Sequence, residues 1–381
     1  MLEPRPQTAS ILPHAVLAEL RIGADWLGTW WPPAVLAALG VVLVVVAARR
    51  GANRSRGRGE RAVRAAGPLG IRRRWHVVVG AVLTLLVASG FAVNTYASYI
   101  PSVSAAWWLL TGDHQRSISG TPAGIVTGRT VPAPPALDIP QSTTWIYTPP
   151  GYDPAGTVRY PVVYLVHGTP GESANWFTGG NVAHVMDVLI AHHLVRPMIV
   201  VAPDVNGREQ DDTECLNSDR GGSQVETYLD DVVVPWVDRH YPTRADWRHR
   251  VIGGMSAGGF CAIDQGLRHQ ELFGAIIALE PYNNPGSGGR TMLRTQAQFD
   301  ARSPGRYLPT MRFAHPVPTF LDIGQEARGG DGSETATLTA QLRARGQDVL
   351  FRDEPNLHHN WTMARTGIPY GLVFVSAHFP Q

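Results

Sequence analysis

Residues 249–269 read HRVIGGMSAGGFCAIDQGLRH, and the reading of this stretch decides the fold. HRVIGGM has the short apolar character of a buried strand, and AGGFCAIDQGLRH reads as a helix. Ser256 stands at their junction. A serine on a sharp strand-to-helix turn is a nucleophile elbow, G-x-S-x-G, and only small residues fit on either side of it. Gly254 and Gly258 occupy those places, while Gly253 and Gly259 leave room for strand–helix packing. A helix N-terminus behind the serine would offer free N–H groups and a positive dipole end to developing negative charge. With 40 glycines in the chain the bare motif can arise by chance, so its meaning depends on the partners around it.

Outward from the elbow, short β-like runs alternate with helical stretches from about residue 120 onward. GIVTGRTV, TTWIYT, YPVVYLVHG, MIVVAPD, AIIALEP, PTFLDIG and DVLFRDE read as strands. VAHVMDVLIAHHL, VETYLDDVVVPWVDRHY and ETATLTAQLRARG read as helices between them. This alternation predicts an α/β fold, a mostly parallel sheet with helices on both faces. Ligands in such sheets bind beyond the carboxyl ends of the strands.

A serine hydroxyl is a poor nucleophile until a base takes its proton. The chain order Ser…acid…His puts that base after the last strand, where His358 and His359 are the candidates. The acid is expected in the loop after PTFLDIG, with Glu326 nearest the strand end and Asp331 as the rival. Asp322 reads as part of that strand, and Glu334 as part of the following helix. An oxyanion hole needs two backbone donors. Ala257 follows the nucleophile, and Thr169 lies in the HGTPG loop, where Pro170 has no N–H. His167 and Gly168 are expected to shape that turn.

The run from about residue 144 to 379 resembles the Putative-esterase family of α/β-hydrolases, which includes mycolyltransferase antigens and the esterase D and enterochelin-esterase types. The resemblance is carried by TTWIYTPPGYDPAG, RYPVVYLVHGTPGESANWF, ETYLDDVVVPWVDRHYPT, the elbow stretch through AIIAL, and LHHNW. It implies an α/β-hydrolase fold and a histidine two residues before a tryptophan, which selects His359 ahead of Trp361. Mycolyltransferases use a glutamate as the acid, which favours Glu326. The chain departs from the family at Leu357 and His358, where glycines are usual.

The N-terminal part has a different character. Residues 26–48 carry no charge, and residues 75–98 carry none apart from His76. About 20 apolar residues suffice to cross a bilayer as a helix, so two transmembrane helices are expected. All 33 basic residues are arginines, and ten of them fall in the intervening loop 49–74. A short arginine-rich loop stays cytoplasmic. Residues 1–105 therefore read as a two-pass membrane anchor, 106–140 as a linker with the first strand, and 141–381 as an extracytoplasmic catalytic domain. The basic cluster is no nucleic-acid arm, because both its ends enter the expected membrane segments. Cys215 and Cys261 could pair outside the cytoplasm and would then pin loop 206–222 beside Ser256.

The chain thus reads as a membrane-anchored serine esterase acting through an acyl-enzyme on cell-envelope lipid or glycan esters. The alternatives are a mycolyltransferase-like acyltransferase and a non-catalytic envelope protein on the same fold. There is no C-x-x-C, no H-E-x-x-H and no glycine-rich phosphate loop, so neither metal nor cofactor is expected.

Overall fold

The computed structural model describes residues 12–20, 26–56, 69–103, 105–107, 123–208, 212–326 and 331–380. The chain divides into two compact units, one of residues 22–107 and one formed by residues 1–21 together with 108–381.

The smaller unit is a helical hairpin of Trp31–Arg56 and Leu69–Ala97. The helices run antiparallel. Asn94 Nδ2 donates to Leu27 O at 3.2 Å and Thr95 Oγ1 to Thr29 O at 3.1 Å. Nearer the loop, Gly40 packs so tightly that a Cβ there would lie 2.9 Å from Leu85 Cδ2. Val41, Val42, Leu83 and Leu86 remain exposed on the outer faces. Of the two expected spans, Trp75–Ala97 is long and apolar enough to cross a membrane, whereas the apolar part of the other, Trp31–Val46, is shorter. That helix starts at Trp31, just ahead of Pro32 and Pro33, and not at Trp26, which belongs to a separate turn of 3-10 helix. The centre of the arginine-rich loop, residues 57–68, lies outside the described residues.

The larger unit is built on an eight-stranded sheet in the order β1-β2-β4-β3-β5-β6-β7-β8. The strands are β1 Ile125–Thr130, β2 Thr143–Thr148, β3 Val162–Val166, β4 Ile199–Ala202, β5 Arg250–Met255, β6 Ala275–Leu279, β7 Thr319–Gly324 and β8 Val349–Glu354. β2 pairs antiparallel with both β1 and β4, and all the other pairs are parallel. The central strands VVYLV, IVVA and AIIAL are buried along their whole length, as parallel strands covered on both faces must be. Alternation then sorts their side chains. Tyr164, Ile252, Ile276 and Leu321 pack with Ile263, Leu267 and Leu338 from the helices Ala257–Arg268 and Asp331–Ala344 on one face. On β6 and β7 the helix Trp361–Ser376 also packs, beside Val182–Ala191.

Every strand and helix expected from the alternation is present. The stretch between β6 and β7 adds three short helices that were not expected, Gly286–Met292, Gln296–Ala301 and Pro304–Tyr307. The helical run 225–240 is interrupted by a π-helical turn, Tyr228–Val233. One boundary differs from expectation. Residues 1–105 read as anchor, yet His14–Leu20 belongs to the larger unit. Leu12 and Val16 are buried, and Glu19 meets His184 Nε2 through its carbonyl and His192 Nε2 through its carboxylate, each at 2.9 Å.

Candidate active site

Ser256 has φ 60° and ψ −123° and immediately precedes the helix Ala257–Arg268. A non-glycine residue in this region is strained, and such strain persists only where the surroundings impose it. Here the elbow imposes it. Ser256 N donates to Leu279 O of β6 at 3.0 Å, while Ser256 O accepts from Phe260 N at 2.9 Å and opens the helix. A Cβ on Gly254 would stand 2.1 Å from Gly258 O, and one on Gly258 only 2.2 Å from Val166 O. Nothing larger fits at either place. Ala257, first residue of the helix, carries an N–H that no intrahelical carbonyl can accept.

The HGTPG loop leaves β3 directly against the elbow: a Cβ on Gly168 would be 3.0 Å from Met255 O and 3.7 Å from Ser256 Oγ. His167 is buried and builds this loop. Its Nε2 accepts from Val205 N at 3.1 Å, so the proton sits on Nδ1 and is donated to Gly168 O at 3.0 Å. Thr169 follows, joined to Pro170 by a cis peptide bond. Trp176 ties the far end of the loop back to β3, its Nε1 donating to Val166 O at 2.8 Å.

His359 precedes the last helix, which Asn360 caps by accepting from Thr362 N at 3.0 Å and Met363 N at 3.4 Å. Trp361 packs edge-on against Trp176, with ring centroids 5.2 Å apart. The histidine segment is thereby fixed to the segment that follows the HGTPG loop. His359 is about one-third exposed (33%), and its Nδ1 lies 3.4 Å from Oε2 of Glu280.

Glu280 was not among the expected acids. It follows β6, is completely buried, and has φ 52°. Its Oε1 accepts from Gly324 N at 2.9 Å, and its own N–H donates to Asp322 O at 2.8 Å. The expected acid Glu326 sits in the turn after β7 with its side chain exposed. What it offers the histidine segment is backbone: its N–H donates to Leu357 O at 2.9 Å, and its carbonyl lies 3.4 Å from His358 Nδ1. Asp331 opens the helix Asp331–Ala344, and its side chain, like residues 327–330, lies outside the described residues. Glu334 accepts from Asn283 N at 2.8 Å. Asp322 lies within β7 beside Arg352, and burial pushes its carboxyl well above the usual range. The signal that could have revealed Glu280 is AIIALEP, a carboxylate at the carboxyl end of the strand paired with β5.

Cys215 and Cys261 form a disulfide with Cα atoms 5.5 Å apart, joining loop 206–222 to the helix Ala257–Arg268. Residues 209–211 of that loop lie outside the described residues.

Among the described residues, Glu226, Asp230 and His269 form a group whose ligand atoms lie within 4.8 Å of one another. The group lies at the opposite end of the helix Ala257–Arg268 from Ser256, with His269 as its C-cap. Its positive charge is already supplied, since Arg302 binds both oxygens of Glu226 at 2.8 and 2.5 Å and also reaches Asp264 at 3.3 Å. Burial alone would lower the His269 pKa, but hydrogen bonding to Glu226 and the nearby charges of Asp230, Glu226 and Glu271 push it up to about 9. Burial would raise Glu226, yet its bonds to His269 and Arg302 hold it down at about 2. These features describe an ion-pair network.

The strand order, the strained serine after β5 and a histidine after β8 define an α/β-hydrolase. Within that class the chain belongs to the Putative esterase family, whose model matches residues 141–354. An uncharacterized protein of Corynebacterium glutamicum is 31% identical over 146 residues, 38% of this chain and 34% of that protein. A xylanase/feruloyl esterase of Xylanibacter ruminicola is 33% identical over 138 residues, 35% of this chain and 18% of that protein. An esterase of Mycobacterium tuberculosis is 26% identical over 142 residues, 37% of this chain and 29% of that protein. The chain thus matches about a third or less of the length of these relatives. A ferulic acid esterase structure superposes with a TM-score of 0.59 at 23% identity, covering 68% of this chain and 100% of that one. An S-formylglutathione hydrolase from Agrobacterium tumefaciens gives 0.57 at 18%, covering 70% and 99%. At these identities the superpositions speak to the fold.

Proposed function

We propose that the protein is a serine esterase in which Ser256, His359 and Glu280 form the catalytic triad. Ser256 Oγ attacks the ester carbonyl while His359 takes its proton through Nε2. The Ala257 and Thr169 N–H groups receive the oxyanion. His359 then protonates the departing alcohol, and water releases the acyl group by the same steps in reverse. The buried Glu280 carboxylate facing His359 Nδ1 carries this reading, since it would hold the ring in the working tautomer and stabilise its cation. Family membership supports the same chemistry. The test is labelling with a fluorophosphonate together with turnover of p-nitrophenyl butyrate. Both are expected in the wild type and absent in Ser256→Ala; a wild type inert to both overturns the proposal.

The site is read as extracytoplasmic, with the hairpin crossing the membrane twice. An even number of crossings is supported by the larger unit itself, which uses chain from before and after the hairpin. One crossing would put His14–Leu20 on the opposite side of the bilayer from the sheet. The ten arginines of loop 49–74 then belong in the cytoplasm, and the disulfide suits an oxidising compartment. On this reading the substrates are esters of envelope lipids or glycans. In intact cells a membrane-impermeant maleimide should label Ala155→Cys but reach Ala62→Cys only after permeabilisation; the reverse pattern overturns the topology. Efficient cleavage of soluble esters with none of lipid esters in vesicles would remove the lipid assignment.

A further inference from the structure

Residues 209–214 read EQDDTE, four acidic residues in six with no basic one. The last three of them stand at the carboxyl edge of the sheet, where ligands of such folds bind. Thr213 Oγ1 donates to Val205 O at 2.7 Å, and Val205 N donates to His167 Nε2 at 3.1 Å, at the start of the loop that packs on Ser256. On the other side, Glu214 Oε1 accepts from Tyr282 Oη at 2.5 Å. Tyr282 lies two residues beyond Glu280 and stacks on Phe260, with ring centroids 5.5 Å apart. Cys215 continues the segment and is bonded to Cys261. Asp212-Thr213-Glu214 therefore bridges the loop leaving β3 and the segment leaving β6 that carries Glu280.

The two carboxylates share one arrangement. Each turns one oxygen to the start of the helix Gly286–Met292: a Cβ on Gly288 would stand 2.9 Å from Asp212 Oδ2, and one on Gly286 would stand 3.6 Å from Glu214 Oε1. The other oxygen of each, Asp212 Oδ1 and Glu214 Oε2, is buried and has no hydrogen-bond partner. Glu214 as a whole is only 3% exposed. Burial pushes both carboxyls upward from their usual values, and the Asp212 charge adds to this at Glu214. Acids buried in this way are costly unless a positive charge meets them. Two unpartnered oxygens fall short of the about six to eight that calcium takes, and they bring no nitrogen or sulfur for zinc. An ammonium group, a compact charge with N–H donors only, suits them.

We propose that Asp212 and Glu214 set the substrate class by receiving an ammonium group, so that the preferred substrates are cationic esters carrying that group a few bonds from the scissile carbonyl. The inference rests on the esterase reading above and narrows it. Aminoacyl esters carry such a charge in the acyl part, and choline-type esters carry it in the alcohol. Asp212 is half-buried and Glu214 fully buried, so an entering ammonium meets Asp212 first. The acidic run EQDDTE also draws cations towards this edge of the sheet.

The experiment uses the full chain in detergent. Benzyl alaninate is compared with benzyl isobutyrate, in which a methyl replaces the ammonium. Butyrylthiocholine is compared with its uncharged carbon analogue, 3,3-dimethylbutyl thiobutyrate. Taking kcat/KM of each variant relative to wild type cancels the intrinsic reactivity of the esters. Asp212→Asn is expected to lose about ten-fold or more on a cationic ester beyond its loss on the neutral partner, mainly through KM, because a charge-assisted hydrogen bond is removed. Glu214→Gln keeps an acceptor for Tyr282 and should act in the same direction. The pair that shows the selective loss tells whether the ammonium enters with the acyl part or with the alcohol. Equal losses on charged and neutral esters mark a purely structural role and overturn the proposal. A wild-type preference retained in Asp212→Asn overturns it as well. A wild type active on the neutral esters alone overturns this inference and leaves the esterase reading in place. A wild type with no Ser256-dependent turnover of any of the four esters removes that reading, and this inference with it.

Discussion

Nδ1 of His359 and Oε2 of Glu280 lie 3.4 Å apart, although 79 positions separate them in the chain and the carboxylate is completely buried. The contact exists because β6 and β7 are neighbours in the sheet: Glu280, beyond β6, is held by Gly324 N at the end of β7. The loop after β8 brings the histidine over it.

Glu280→Gln should keep the fold and remove the negative charge facing His359. Loss of the correct tautomer and of cation stabilisation is expected to lower kcat by about 1000- to 10,000-fold. Glu326→Gln should stay within about two-fold, because that side chain is exposed. Steady-state kinetics on the two variants separates these assignments, and equal losses would remove Glu280 from its role.

Ser256→Gly and Ser256→Ala should both be inactive but differ in stability. Glycine accepts φ 60° and ψ −123° without a Cβ penalty, so Ser256→Gly is expected to unfold later, by about 1 kcal/mol relative to Ser256→Ala. Parallel urea titrations measure it. Equal midpoints would mean the elbow stores no strain.

Replacing both Cys215 and Cys261 with alanine opens a loop of sequence separation 46. Loop-closure entropy predicts a loss of about 3–4 kcal/mol, measurable by chemical denaturation.

The His269 network predicts a pH dependence of stability. A histidine raised to about 9 contributes fully below its unfolded value of about 6.5 and loses that contribution as the pH passes 9. Glu226, held at about 2, contributes above its unfolded value near 4.5 and loses this as the pH falls towards 2. Asp230 acts oppositely: burial raises it to about 7, so its ionisation disfavours the fold increasingly from about pH 4 to 7. His269→Gln should flatten the decline between pH 6.5 and 9, by about 1–2 kcal/mol once solvent screening of the part-exposed ring is allowed for. Denaturation at pH 6, 7.5 and 9 reads the slope directly.

Much of the fold is legible in the chain itself, because hydrophobic periodicity and turn chemistry are local. TTWIYT is β2 residue for residue, and the elbow needs only that a strand, a serine between small residues and a helix follow one another. His359 was legible through its neighbour Trp361, whose packing on Trp176 gives that pattern its physical basis. The acid was not. Glu326 and Glu280 both follow strands at the same edge of the sheet, and their order along the chain does not say whose side chain turns inward. Nor could spacing tell that Cys215 and Cys261 meet, or that His14–Leu20 joins the sheet domain across the intervening hairpin. The amino-acid sequence by itself determined which segments become strands and helices and where the serine of the strand-to-helix turn stands. Only the tertiary structure decided which carboxylate faces the histidine, because that depends on strand order and backbone geometry at the sheet's carboxyl edge, where residues far apart in sequence are brought together.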